Sequence, residues 1–185
     1  MRALKFAEDW LEAFNRRLLF LLAWIAIVLI AVMTSIILVA VFFRYVLGDA
    51  LIWTEEVAKF MMVWMTFVAA PIAYREGSLV AVGIIAARFS GRLYPLLAIL
   101  IQLVVISIMI VFLKEGSFLT WNSRIQTAST IDWFSIVWVY ISMPIGAFAL
   151  LTVSLGLLLR AVQELIHPTP PGAAGPRPLD IPGAM

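Results

Sequence analysis

The sequence predicts an all-α integral membrane protein: four tilted transmembrane helices flanked by amphipathic interfacial helices. Three observations lead there. The chain is 64% apolar with a mean hydropathy of +1.06, far outside the range of soluble domains. Only 13% of its 185 residues are charged. The charges gather between four apolar runs, each long enough for a hydrocarbon core of about 30 Å. The remaining residues leave no room for a separate soluble domain.

Residues 1–17 read as an amphipathic interfacial helix. Leu4, Ala7, Leu11, Phe14 and Leu18 alternate at spacings of three and four, and Lys5, Glu8, Asp9, Glu12 and Arg16 take the other side. Trp10 beside the apolar stripe suits the membrane interface. An uninterrupted extension of the first span fits the same pattern equally well. The leader mixes acids with bases, and the apolar run behind it is too long for a signal peptide, so it is expected to stay as the first anchor.

The membrane domain covers residues 18–160, with spans at about 18–43, 54–74, 93–113 and 134–159. The first contains no ionisable group before its end. At 1.5 Å per residue it reaches roughly 39 Å, more than the hydrocarbon core, so tilt is expected. The second span is predicted to start at Thr54 as N-cap, with Glu55 and Glu56 in the first turn, where the helix dipole favours them. Glu55 and Lys59 have the order and spacing of an i,i+4 ion pair. Pro71 lies near the end of this span, where a freed carbonyl needs a neighbour.

Arg75 to Arg92 reads as a polar link holding a short interfacial helix, with Val80, Ile84, Ile85 and Phe89 on its apolar side. In the third span, Gln102 near the middle is expected to join helices rather than to carry transport. Lys114 to Trp133, rich in Ser and Thr, reads as the longest loop. The fourth span contains Pro144 and Gly146. Residues 161–185 form a C-terminal extension, expected to be disordered from about His167, where six prolines and three glycines follow in 19 residues.

Nine of the 13 Lys and Arg fall in the N-terminal stretch, the 75–92 link and the tail. The positive-inside rule then places both termini in the cytoplasm. The turn at Trp53 and the 114–133 loop face outward.

Several classes of function are excluded on composition. Zero Cys removes disulfides, thiolate metal sites and Cys nucleophiles. A single His, in the tail, removes a bis-histidine haem. No basic stripe for nucleic acid, no phosphate loop and no nucleophile–base–acid set appears. The chain is read as no enzyme, with no catalytic, cofactor or metal residue of its own. What remains is one charge cluster at a helix turn: Arg44, Trp53, Glu55, Glu56 and Lys59. It serves either as an ordinary interfacial anchor or as a pairing site, within the chain or with a partner.

The residues of that turn carry a resemblance. Phe43-Arg44-Tyr45-Val46-Leu47-Gly48, then Trp53-Thr54-Glu55-Glu56, Val63-Trp64 through Phe67 and Arg75-Glu76-Gly77-Ser78 resemble the small membrane subunit of TRAP transporters, the tripartite ATP-independent periplasmic systems. Gln126-Thr127-Ala128-Ser129 and Trp138, Tyr140, Pro144 and Gly146 add to it. The likeness covers roughly residues 18–160. The chain departs from the family pattern at Leu79, at Ala69-Ala70-Pro71 and at Asp132-Trp133.

The resemblance implies a bacterial inner-membrane complex for sodium-coupled uptake of organic acids. A periplasmic substrate-binding protein captures the acid, and a large elevator-type subunit holds the substrate and sodium sites. The small subunit is a fixed scaffold, in contact with membrane lipids. On this reading Met61, Met62, Trp64, Met65 and Phe67 are candidates to face the large subunit. Trp121, Asn122 and Arg124 are weaker candidates to dock the binding protein. The alternative is an autonomous four-helix secondary transporter acting as a homodimer. It would need an intramembrane charge, and only Gln102 is near mid-span.

Overall fold

The computed structural model describes residues 2–88, 93–130 and 133–166. Four helices are long and apolar enough to cross a membrane, and among the described residues there is no strand beyond one isolated bridge. The side chains of residues 2–9 and 78–88, where amphipathic faces were expected, lie outside the described residues, as does the tail from His167.

α1 (Arg2–Phe42) is one unbroken helix, so the N-terminal stretch continues directly into the first span. No Gly or Pro occurs in it to break the hydrogen-bond ladder. Ala23 apart, its least exposed positions beyond residue 20 are Leu22, Ala26, Leu29, Met33, Ile36 and Ala40, and Phe43 continues the series. They alternate at three and four residues, the spacing of a helix–helix seam. That seam serves mainly α2. The π-helical turn Phe43–Leu47 closes α1, and Gly48 caps it at φ 70° and ψ 10°. The Gly48 N–H donates to the Phe43 carbonyl, and the Asp49 N–H donates to the same oxygen at 3.2 Å. A Cβ on Gly48 would meet nothing within 4 Å. The left-handed φ alone therefore demands glycine there.

α2 (Ile52–Arg88) differs from expectation at both ends. Thr54 is not its cap. It lies inside the first turn, 2% exposed, and its hydroxyl donates to the Leu51 carbonyl at 2.6 Å. At the other end, the link expected from Arg75 is helical through Arg88. Pro71 does not stop the helix either. Proline has no N–H for the Phe67 carbonyl, but Gly146 of the last helix packs directly against that carbonyl. A Cβ on Gly146 would come within 2.7 Å of the oxygen. Glycine is what lets the two helices approach this closely here, and α2 runs on past the proline.

α3 (Leu93–Asn122) also outruns its expected end at Leu113. The Ser/Thr richness that suggests a loop is absorbed locally. Ser117 and Thr120 hydroxyls each donate at 2.7 Å to the carbonyl four residues back. A 3-10 turn (Ser123–Ile125) follows, then an antiparallel bridge between Thr127 and Ser135. The fourth span is interrupted. α4 (Val137–Tyr140) and α5 (Ser142–Ile166) are separate one turn before Pro144, whose ring crowds the Tyr140 carbonyl and offers it no donor.

α5 is the hub. It touches α1, α2, α3 and α4, whereas α1 and α3 do not touch among the described residues. Its buried positions are mostly small: Ser142, Gly146, Ala147, Ala149, Thr152, Val153, Ser154 and Ala161. Small residues let helix backbones approach closely in lipid, where no hydrophobic force drives helices together. Leu19, Leu22, Val68, Ala149 and Val153 form the core where α1, α2 and α5 meet.

Candidate functional site

Ionisable groups collect at the two ends of the bundle. At the first, the turn between α1 and α2 brings Arg44 and Glu55 together, with Nη1 3.4 Å from Oε1. Both side chains are well exposed. Glu55 pairs with Arg44 rather than with Lys59, whose charge acts at longer range on Glu56 without a direct ion pair among the described residues. Trp53 is 43% exposed and borders an apolar groove of about 380 Å³ between α1 and α2.

Glu56 does something different from Glu55, though the two are adjacent. Its carboxylate accepts the Ser129 N–H at 2.9 Å and the Thr130 N–H at 2.8 Å, and also the Thr130 hydroxyl. It thereby holds the segment that returns from α3 to α5. Phe60 stacks on Phe134 at 5.6 Å just below, and the Ala128 N–H donates to the Phe134 carbonyl at 2.9 Å. One carboxylate thus fixes a turn 73 residues away in sequence. No local spacing could have shown it.

Further along this end, the Arg124 guanidinium sits 3.1 Å over the centroid of Trp121, a cation–π contact, and Asn122 is exposed beside it. The five positions considered for a partner on α2 separate. Met62 is 57% exposed, and Met61 and Met65 are half-buried. Trp64 and Phe67 are engaged within the chain. The Trp64 indole donates to the Trp138 carbonyl at 2.9 Å, and Phe67 lies against Gly146.

At mid-bundle the Tyr74 hydroxyl donates to Gln102 Oε1 at 2.9 Å, joining α2 to α3. Gln102 is buried, and its bond is the interhelical link its position suggested.

The opposite end holds a cluster that the sequence analysis did not single out. Glu12 of α1 lies 2.5 Å from Arg160 of α5 and 4.0 Å from Arg75 of α2. One carboxylate therefore serves two guanidinium groups from two other helices. Next to it, Asn15 Nδ2 donates to the Thr152 carbonyl at 3.0 Å. Gly156 makes room for that amide, since a Cβ there would stand 3.1 Å from it. Asn15 Oδ1 and Arg75 Nη1 are buried without a partner among the described residues. They line a cavity of about 20 Å³ with Glu12, Gly156 and Arg160. Arg75 belongs to the Arg75-Glu76-Gly77-Ser78 motif, which was a signal, but neither Glu12 nor Arg160 carried one.

Among the described residues no group of three His, Cys, Asp or Glu side chains is placed to hold a metal ion. The arrangement provides links between helices, at both ends and in the middle.

A search of curated proteins finds no match. A family model described as "Tripartite ATP-independent periplasmic transporters, DctQ component" matches residues 33–164. That stretch contains the Arg44–Glu55 turn, the Glu56 clamp, Arg75 and nearly all of the α5 hub. The chain is a multi-pass membrane protein belonging to the DctQ family, the small-subunit component of the tripartite ATP-independent periplasmic transporters.

Proposed function

We propose that this chain is the static scaffold subunit of a sodium-coupled transporter for organic acids, fed by a periplasmic substrate-binding protein. It holds a large subunit that performs the transport motion, and substrate and sodium bind in that large subunit. The chain sits in the bacterial inner membrane with both termini in the cytoplasm, as the Lys and Arg distribution favours.

The observation that carries this reading is the way polar groups between the helices are used. Gln102, Trp64 and Asn15 each bond to another helix of the same chain. Polar groups in such places hold helices in fixed relation. A subunit against which another moves needs that rigidity. The Tyr74 hydroxyl also engages Gln102, the residue to which the autonomous-transporter alternative points.

The test is reconstitution in proteoliposomes. With an inward sodium gradient, the large subunit and the binding protein are expected to take up substrate only when this chain is present. Uptake by this chain alone, or by the other two without it, would overturn the proposal.

A further inference from the structure

We propose that the outward face of α2, along Lys59, Met62, Thr66, Ala69, Ala73 and Gly77, seats a transmembrane helix of the large partner subunit. This rests on the scaffold reading and adds which surface is covered and what chemistry covers it. The six positions follow one another at three and four residues, so they share a stripe. The stripe is opposite Trp64, Phe67 and Arg75, which face the chain's own helices.

The first ground is a mismatch between hydropathy and burial. The spans of α1 and α3 have a mean hydropathy of 3.1 and are 6% buried, which suits helices surrounded by lipid. The α4–α5 span has a mean hydropathy of 2.1 and is 39% buried, which suits a helix surrounded by protein. The α2 span has the lowest value, 1.5, yet only 11% of it is buried. Its own helices half-bury most of it and leave this stripe exposed, Ala69 alone being half-buried. From Trp64 to Gly77 it exposes no large apolar side chain, whereas α1 and α3 expose them along their lengths.

The second ground is shape. Thr66, Ala69, Ala73 and Gly77 give a shallow surface of small side chains. A Cβ added to Gly77 would meet nothing within 4 Å, so this side of the helix is open. Small residues in this spacing admit the backbone of another helix and the packing that drives association in lipid.

The third ground is charge, and it selects the occupant. Lys59 stands exposed at one end of the stripe, its charge acting on Glu56 without a direct ion pair among the described residues, and Glu76 is exposed beside the other end. A second copy inserted in the same orientation would pair about an axis along the membrane normal. It would set Lys59 near Lys59 and Glu76 near Glu76, like charge on like. A different chain avoids this by bringing a carboxylate to Lys59 and a cation to Glu76.

The test uses the assembled complex in native membranes. A diazirine amino acid is placed at Met62 or Ala73, and for comparison at Val104 on the exposed side of α3. Irradiation is expected to join the large subunit to this chain from Met62 and Ala73, and lipid to it from Val104. Ala73→Trp is expected to lower the large subunit recovered with the tagged chain about tenfold. Val104→Trp is expected to leave it unchanged. Crosslinks to the large subunit from Val104 alone, or a crosslinked pair of this chain from Ala73, would overturn the assignment. If the unaltered chain brings down no membrane partner at all, the scaffold reading itself falls.

Discussion

At one end of the bundle Glu12 joins three helices, and its partners Arg75 and Arg160 have side chains 11% and 27% exposed. At the other end Arg44 and Glu55 join two helices, with side chains 58% and 65% exposed. The chemistry is the same and the consequences differ. An exposed ion pair contributes little, because water and salt screen it and two long side chains lose freedom. A guanidinium packed among helices depends on its carboxylate, since its removal leaves an uncompensated charge. The conspicuous pair in the sequence is the weaker one.

Glu56 shows a second way for a carboxylate at the exposed end to matter. Its contribution comes from direction: two backbone N–H groups and a hydroxyl of one turn converge on it. Adjacent residues of identical chemistry thus divide the work, Glu55 at the α1–α2 turn and Glu56 at the return from α3.

The largest expected effect that separates the two ends is Glu12→Ala. It should destabilise the bundle by about 2–3 kcal/mol, below the fully buried range because Glu12 is itself partly exposed. Thermal unfolding in detergent measures it. A loss no greater than that of Glu55→Ala would erase the distinction between the ends. Next comes Glu56→Gln, a local effect. Hydrogen exchange at the Ser129 and Thr130 amides should quicken, with Glu12-end amides unchanged. Unaltered exchange at those two amides would remove the clamp. The smallest effect is Glu55→Ala, expected to cost under about 1 kcal/mol. Its coupling to Arg44 in a double-mutant cycle should fade as salt rises from about 0.1 M to 1 M. A coupling that persists at high salt would put this pair on a par with the Glu12 cluster.

Much of the fold was legible in the residues. Unbroken apolar runs can satisfy their backbone in lipid only as helices, which fixed four spans from hydropathy alone. The end of the first span was legible where the apolar run meets Arg44, whereas the glycine cap at Gly48 emerged only with its left-handed φ. The boundaries were less legible. The Ser and Thr between Lys114 and Ser123 looked like a loop, but hydroxyls that bond back four residues are neutral between loop and helix. Likewise Arg75 looked like the start of a link, because polarity signals an end only when the side chain has nowhere to go. Here it goes to Glu12.

By itself the sequence determined the membrane class, the number of spans and the family, because these depend on composition and on motifs contiguous in the chain. Only the tertiary structure decided which polar groups meet. Glu12 meets Arg160, Glu56 meets Ser129 and Thr130, and Gly146 meets the carbonyl that Pro71 frees. Such meetings depend on how α5 packs among the other helices. Packing of that kind is set by small residues whose positions carry no hydropathy signal.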